Sequence, residues 1–374
     1  RQVWGTIYPA VYWPDGKQME NMKQRIDKLR QELQLCKIDA FLVTGPENIR
    51  YLSGFTGGRD ARLLVSAEKS YIITDSRYFE QAALECPDWE LVKASAADTQ
   101  TLVPLLNGRL NLGFESSNIS YDDYLQLETN LKLGLQPEKN LVEQLRKIKD
   151  EDELDQLRTA ARIGDQVFTR ICPEIKAGMS EREVANRIVA LLKEGGCSKE
   201  AFDTIAVAGK NAALPHGQPG TYCLQPGDML TMDFGGLYQG YAGDMTRTVV
   251  INQASAQLRS YYLQLLEAQE LGVSLVQAGM DGKELDQKVR ACLKKYQLDV
   301  YFSHSTGHGV GLEVHEAPRL SPTSHDTLEE NMVVTVEPGI YIPGWGGIRI
   351  EDTVIVKKGG CEVITHSNKG LLIL

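Results

Sequence analysis

The 374-residue chain lacks the marks of a disulfide-bonded or membrane-spanning protein. Its seven cysteines are odd in number and none form a Cys-Xaa-Xaa-Cys pair, which argues against a disulfide scaffold or a thiolate zinc site. No apolar run reaches the roughly 18 residues of a membrane span, so we expect no membrane association. Residues 1–17 lack the apolar core of a signal peptide. Because unpaired thiols suit a reducing compartment, we expect a cytoplasmic protein.

Basic residues are in the minority. The chain has 40 Lys and Arg against 50 Asp and Glu, which gives a formal net charge of −10. Nucleic-acid binders normally carry a basic patch, so we expect no nucleic-acid partner. The acidic balance weakly favours a cationic partner, such as a metal ion or a peptide amino terminus, although a solvated acidic surface explains most acidic proteins.

The length predicts two domains, because a single hydrophobic core usually stops growing near this size. In residues 19–145, apolar residues at helical spacing between 22 and 33 precede short apolar strands at 40–44 and 71–74. This alternation predicts an α/β domain with an open, partly parallel sheet. A charged run at 147–153 leads into an amphipathic helix, so we assign the second domain to residues 146–374.

The second domain contains an internal repeat. The tripeptide Ala177-Gly-Met179 recurs 101 residues later as Ala278-Gly-Met280, and each copy is followed by a capping-box pattern. About 50 residues beyond each copy comes an apolar strand with an acid near its end, Asp233 in the first and Glu337 in the second. The order helix, loop, helix, hairpin, used twice, predicts an α/β (α+β) domain with pseudo-two-fold symmetry and facing hairpins.

Each predicted hairpin carries two acids that its turn would make cross-strand neighbours. The four acids are Asp233, Asp244, Glu337 and Glu351. The first pair requires a turn between Tyr238 and Gln239, and the second requires a turn centred on Gly344. Like charges that face each other destabilise a sheet, and two divalent cations would balance four carboxylates. The alternative is that each acid lies on a solvated hairpin edge and that the hairpins never meet.

A histidine flanked by glycines completes this set of candidate ligands. His308 lies within Phe302-Ser-His-Ser-Thr-Gly-His-Gly-Val-Gly311, where the glycines would let backbone approach a site closely. Four carboxylates and one imidazole form a hard donor set that suits manganese, with cobalt, iron or zinc also compatible. A lone histidine is more often a satisfied core residue, and that reading is the alternative.

At these positions the chain resembles the pita-bread metallopeptidases, which include aminopeptidase P, prolidase and methionine aminopeptidase. The resemblance covers about residues 150–370 and implies a centre with two divalent metals bridged by Asp244 and Glu351. Its five implied ligands are Asp233, Asp244, His308, Glu337 and Glu351. Residues 19–145 resemble the creatinase/aminopeptidase P amino-terminal domain through the segments 46–55 and 74–78. Since methionine aminopeptidases generally lack this domain and creatinase has lost the ligands, the resemblance favours the proline-specific branch.

The same resemblance implies roles for further residues. Glu337 would carry a proton to the leaving nitrogen, and His216 and His315 would stabilise the oxyanion or orient the substrate. The implied substrate-binding residues are His304, Arg349 and Tyr341. For Arg349 the alternative is a simple counter-ion of the carboxylates. His325 and His366 have no motif around them and are expected at the surface.

We therefore expect an Xaa-Pro aminopeptidase that cleaves short peptides with proline at the second position. An Xaa-Pro dipeptidase (prolidase) is the main alternative. Another carbon–nitrogen hydrolase on this fold and a non-catalytic binding protein are more remote alternatives. The resemblance also implies that the amino-terminal domain caps the site and supports a homodimer.

Overall fold

The computed structural model describes residues 16–95, 98–106 and 108–374. Most of the opening stretch, for which we expect no signal-peptide core, lies outside these residues. The chain divides into two compact units, the first ending at Arg146 and the second running from Lys147 to Leu374. Within the described ranges, no helix has both the length and the apolar character needed to cross a bilayer.

The first unit is a six-stranded mixed sheet with helices, in the strand order β4-β3-β2-β1-β5-β6. Its elements are α1 (Gly16–Cys36), β1 (Ala40–Val43), α2 (Pro46–Ser53), β2 (Ala61–Ser66), β3 (Ser70–Thr74), α3 (Phe79–Glu85), β4 (Glu90–Lys93), α4 (Leu102–Leu105), β5 (Asn111–Glu115), α5 (Tyr121–Asn130), β6 (Gly134–Glu138) and α6 (Leu141–Arg146). Strand β1 is parallel to β5 and antiparallel to β2, which confirms the partly parallel sheet. Ile26, Leu29 and Leu33 are buried along α1, as their helical spacing predicts.

The second unit has helices packed against several small antiparallel sheets. Its elements are α7 (Glu151–Ile171), α8 (Glu181–Glu194), β7 (Lys199–Glu200), β8 (Ile205–Ala208), β9 (Met229–Phe234), β10 (Gly236–Tyr238), β11 (Tyr241–Ala242), β12 (Met245–Val250), α9 (Ala256–Leu275), α10 (Gly282–Lys294), β13 (Gly307–Gly309), β14 (Glu316–Leu320), β15 (Val333–Val336), β16 (Gly339–Ile342), β17 (Gly346–Arg349), β18 (Asp352–Lys357) and β19 (Gly360–Val363). The principal sheets have the orders β12-β9-β8 and β14-β13-β15-β18-β19.

The internal repeat is present in this unit. Gly178 and Gly279 both have φ +91°, a conformation that glycine adopts without steric cost. Their N–H groups donate to the carbonyls of Leu224 at 2.9 Å and Leu328 at 2.8 Å. Each loop then leads into a capped helix, so the two halves share the same local construction.

Strand alternation separates the apolar core from the acidic face in both halves. Leu230 and Met232 pack into the core cluster that includes α7 and α8, and Val334 and Val336 into the cluster that includes α9 and α10. Successive side chains of a strand point to opposite faces. Asp233 in β9 and Glu337 after β15 stand at odd positions and therefore face away from the helices of their own half.

The predicted register of the first hairpin is wrong, and that of the second is right. Asp233 pairs with Thr246 rather than with Asp244, because the turn lies at Gln239-Gly240. These two residues have φ +48° and +82°, the positive values that a type I′ turn requires. In the second hairpin, the pairs on either side of Glu337 and Glu351 fix the turn centre at residue 344.

Candidate metal centre

A cavity of about 510 Å³ in the second unit brings together every predicted site residue. These residues are Asp233, Asp244, His308, Glu337, Glu351, His216, His304, His315, Tyr341 and Arg349. His325 and His366 are exposed and lie outside the cavity lining, as expected. The ten positions span residues 216 to 351 in sequence, so the fold, and not sequence proximity, assembles the site.

Three of the predicted ligands form a tight buried group. Asp244, His308 and Glu351 each offer an atom within 4.8 Å of the others. They are only 5%, 7% and 1% exposed, so the solvated hairpin-edge reading is wrong for these acids. Glu337 joins the group through its Oε1, which lies 3.2 Å from His308 Nε2. Asp233 lines the same cavity.

The electrostatics of this group favour a cation. Burial, together with the neighbouring carboxylates, raises the pKa of Asp244 and of Glu351 well above their ordinary values. Burial also opposes ionisation of Glu337, but His308, His304 and Arg349 lower its pKa to about 2. Asp233 Oδ1 is buried without a hydrogen-bond partner. Buried, mutually repelling carboxylates with an unsatisfied oxygen are the donors that a divalent ion binds.

The His308 ring is oriented for coordination through Nε2. Its Nδ1 lies 3.1 Å from the carbonyl oxygen of Gly309, which can only accept, so Nδ1 carries the proton. Nε2 therefore faces the carboxylates of Glu337 and, at 3.7 Å, of Asp244. A backbone acceptor on the far nitrogen is the usual support of a metal-binding histidine.

The glycines beside His308 permit close contact between neighbouring strands. A Cβ atom on Gly307 would lie 1.9 Å from the carbonyl oxygen of Thr335, and one on Gly309 would lie 2.3 Å from that of Ala317. Larger residues would push β13 away from β15 or β14. The glycines therefore permit close packing of the strands around His308, whereas their approach to a bound ligand remains a prediction.

Arg349 links the carboxylates to a hydrogen-bonded chain. Its Nη2 lies 2.6 Å from Asp233 Oδ2 and its Nη1 donates to Tyr341 Oη at 2.8 Å. That hydroxyl lies 2.8 Å from His304 Nε2. Arg349 thus occupies the counter-ion position, and a direct contact with substrate remains a prediction.

The two other histidines lie on the open side of the cavity. The His315 ring packs edge-on against His308 with a centroid distance of 4.2 Å, and burial followed by the His308 charge lowers the His315 pKa. His216 is exposed at the cavity wall. Both are placed to meet a ligand that enters from solvent.

Sequence reasoning missed two threonines and one arginine. Thr246 Oγ1 donates to Glu351 Oε2 at 2.7 Å, and Thr335 Oγ1 accepts from the His308 N–H at 3.1 Å. Each threonine stands two positions from a predicted ligand, so the two-residue strand period could have identified them. Arg319 lines the cavity opposite His308 in the β13–β14 register, a pairing that only the structure reveals.

Comparison with known proteins agrees with this geometry. Residues 155–358 match the model of metallopeptidase family M24, and residues 25–148 match the creatinase/prolidase N-terminal domain. The Xaa-Pro dipeptidase of Pyrococcus furiosus is 36% identical, with 94% of this chain and 100% of that protein covered.

Two solved structures extend the similarity to the fold. An Xaa-Pro dipeptidase from Bacillus anthracis superposes with a TM-score of 0.92 at 40% identity, covering 95% of this chain and all of that one. An X-Pro aminopeptidase from Thermotoga maritima superposes with a TM-score of 0.86 at 34% identity, covering 93% and 99%. The donor set, the fold and the family match agree, and the chain belongs to metallopeptidase family M24.

Proposed function

We propose that this metallopeptidase is an Xaa-Pro dipeptidase that cleaves the bond before a carboxy-terminal proline. The sequence alone led us to expect an Xaa-Pro aminopeptidase. The dipeptidase has more support, because relatives with that name match over nearly the whole chain. An Xaa-Pro aminopeptidase remains the alternative, because the similar structure from Thermotoga maritima is an X-Pro aminopeptidase.

We propose Asp233, Asp244, His308, Glu337 and Glu351 as the ligands of two divalent ions, manganese being our first choice. The unsatisfied Asp233 Oδ1 and the raised pKa values of Asp244 and Glu351 support this assignment. When bound, such ions supply Lewis acidity and lower the pKa of water.

The chain's own residues would then position the substrate and move protons. Glu337 lines the cavity beside His308 and is placed to accept a proton from the attacking water. The leaving proline nitrogen must be protonated, and Glu337 is proposed to deliver that proton. His216 and His315 would donate hydrogen bonds to the developing oxyanion. Tyr341, His304 and Arg349, which are linked by hydrogen bonds, would bind the substrate.

Arg319 supports the choice of a dipeptide. Directly paired cross-strand residues have side chains about 5 Å apart on one face, which places Arg319 beside His308. Its side chain is exposed in the cavity. A guanidinium there can bind a free carboxylate in a bidentate manner. In Xaa-Pro that carboxylate belongs to the proline itself, whereas in Xaa-Pro-Xaa an amide takes its place.

The test is a metal-reconstituted assay of Met-Pro and Met-Pro-Ala side by side. We expect faster cleavage of Met-Pro, and Arg319→Ala should lose at least tenfold in kcat/KM on the dipeptide but little on the tripeptide. Arg259→Ala, an exposed arginine outside the cavity, is the matched control. Preferred cleavage of Met-Pro-Ala would establish the aminopeptidase instead.

The remaining alternatives give different results in the same assay. Absence of methionine release from both peptides, with metal bound, would indicate another carbon–nitrogen hydrolase. Absence of any bindable metal would indicate a non-catalytic binding protein. Homodimerisation and a cytoplasmic location are part of the proposal, and light scattering at the monomer mass would contradict the former.

A further inference from the structure

Glu181 is a buried acid outside the candidate metal centre, and it holds the loop that carries His216. It is the first residue of α8 and has 0% exposure. Its Oε1 accepts hydrogen bonds from the Ala208 N–H at 2.8 Å and from Asn211 Nδ2 at 3.1 Å. Its Oε2 accepts from the Gly220 N–H at 2.9 Å. One carboxylate therefore binds both ends of residues 209–219, here called the His216 loop.

The backbone of α8 reinforces the same anchor. The N–H of Glu181 donates to the Tyr222 carbonyl at 3.0 Å, and that of Arg182 to the Gly220 carbonyl at 3.1 Å. The first N–H groups of α8, which have no partner within the helix, thus bind residues 220–222 directly after the His216 loop.

The tip of the His216 loop is held separately. Arg349 Nη1 donates to the carbonyl of Pro215 at 3.2 Å, so the counter-ion of Asp233 also contacts the residue before His216. Between these anchors Ala212 packs in the hydrophobic core, whereas Leu214 is 59% exposed and His216 is exposed. The His216 loop is therefore held by buried Ala212, by the Glu181 carboxylate at its base and by Arg349 at its tip, and only the Glu181 carboxylate binds both of its ends.

We propose that Glu181 is a positioning residue for His216, which it serves by fixing both ends of the His216 loop. This inference rests on the proposed role of His216 in hydrolysis. A side chain held by two anchors stays within the small displacement that transition-state stabilisation tolerates. Replacing the carboxylate by an amide leaves one backbone N–H facing a donor, which releases one end of the loop.

A double-mutant cycle on the metal-loaded enzyme tests the proposal. Glu181→Gln should lower kcat with Met-Pro by roughly tenfold to a hundredfold, an effect of displacement rather than of unfolding. In a His216→Ala background the same change should cost less than about twofold, because both changes remove one function. If Glu181→Gln lowers kcat by the same factor with and without His216→Ala, the proposal is overturned.

Ser180→Ala is the matched control, since it removes the α8 capping box but no contact to the His216 loop. Ser180→Ala should lower thermal stability. Its effect on kcat should be the same in the presence and in the absence of His216→Ala, so that the two effects multiply.

Hydrogen exchange over residues 209–220 gives a readout independent of activity. Exchange should rise in Glu181→Gln and not in Ser180→Ala, and unchanged exchange would overturn the proposal. Should Glu181→Gln fail to fold, Asn211→Ala removes one of the three contacts from the loop side and should raise exchange in the same peptide.

The exchange and kinetic results separate this inference from the proposed function. If His216→Ala is fully active while Glu181→Gln still raises exchange in the loop, the anchor is supported and the catalytic role of His216 is lost. If Met-Pro is not cleaved at all, the exchange experiment alone decides the anchor.

Discussion

Single residues set the charge of the candidate metal centre. Five side chains identified from sequence lie in one cavity, but their hydrogen-bond partners depend on the register of strands far apart in the chain. Thr246 and Arg319 are examples, because they become neighbours of Glu351 and His308 only through pairing. Residue chemistry was therefore predictable from motif and spacing, whereas the supporting contacts required the fold.

Glu337 is the residue on which turnover should depend most. Glu337→Gln retains the size of the side chain but removes the proton acceptor, so kcat should fall about 10²–10⁴-fold. Stopped assays with Met-Pro, combined with metal analysis of the same preparation, measure the effect. Near-normal turnover at full metal occupancy would contradict the assigned role.

Metal binding should release protons from the candidate ligands. Hydrogen bonding to Glu337 raises the His308 pKa against the effect of burial, and Asp244 and Glu351 also hold protons to higher pH than free carboxyls. A cation must displace these protons, so apparent affinity should fall as pH falls. Calorimetry in buffers of different ionisation enthalpy measures the released protons. A binding enthalpy independent of buffer would contradict the prediction.

At the scale of elements, the hairpins show what spacing alone can determine. In the second hairpin, the turn at Gly344 lies midway between Glu337 and Glu351, so the spacing of the two acids predicts the strand register correctly. In the first hairpin, the midpoint between Asp233 and Asp244 is not the turn, because Gln239-Gly240 supplies the positive φ pair. Turn chemistry thus overrides the symmetry of charged positions when the two disagree.

The contact between β13 and β15 should tolerate no side chain at residue 307. In Gly307→Ala the new Cβ meets a backbone carbonyl at 1.9 Å, so the strands must separate beside His308. We expect a loss of about 1–3 kcal/mol in the free energy of unfolding, with weaker metal binding. Denaturant titration and metal titration measure the two effects.

Gly360→Ala provides the control for this change. A Cβ atom on Gly360 meets nothing within 4 Å, so stability and metal affinity should stay near those of the unchanged protein. Equal behaviour of the two variants would contradict the steric argument.

At the scale of the whole molecule, the two units were predictable because composition and periodicity change near residue 147. The candidate metal centre lies entirely in residues 147–374, so divalent ions should stabilise that unit directly. At a concentration 100 times the dissociation constant, each bound ion adds about 2.7 kcal/mol. Manganese should therefore raise the melting temperature and a chelator should lower it, and hydrogen exchange should show the added protection within residues 147–374. Protection confined to residues before 147 would contradict this assignment.

The division of the donors between the two halves of the repeat has a consequence for biosynthesis. Asp233 and Asp244 precede α9, whereas His308, Glu337 and Glu351 follow α10. A nascent chain that ends before residue 308 would have only two of the five proposed ligands, Asp233 and Asp244. Such a fragment should bind a divalent ion more weakly than the chain that carries all five proposed ligands. Metal binding would thus report that both halves of the repeat are present and folded together, since the proposed ligands come from both.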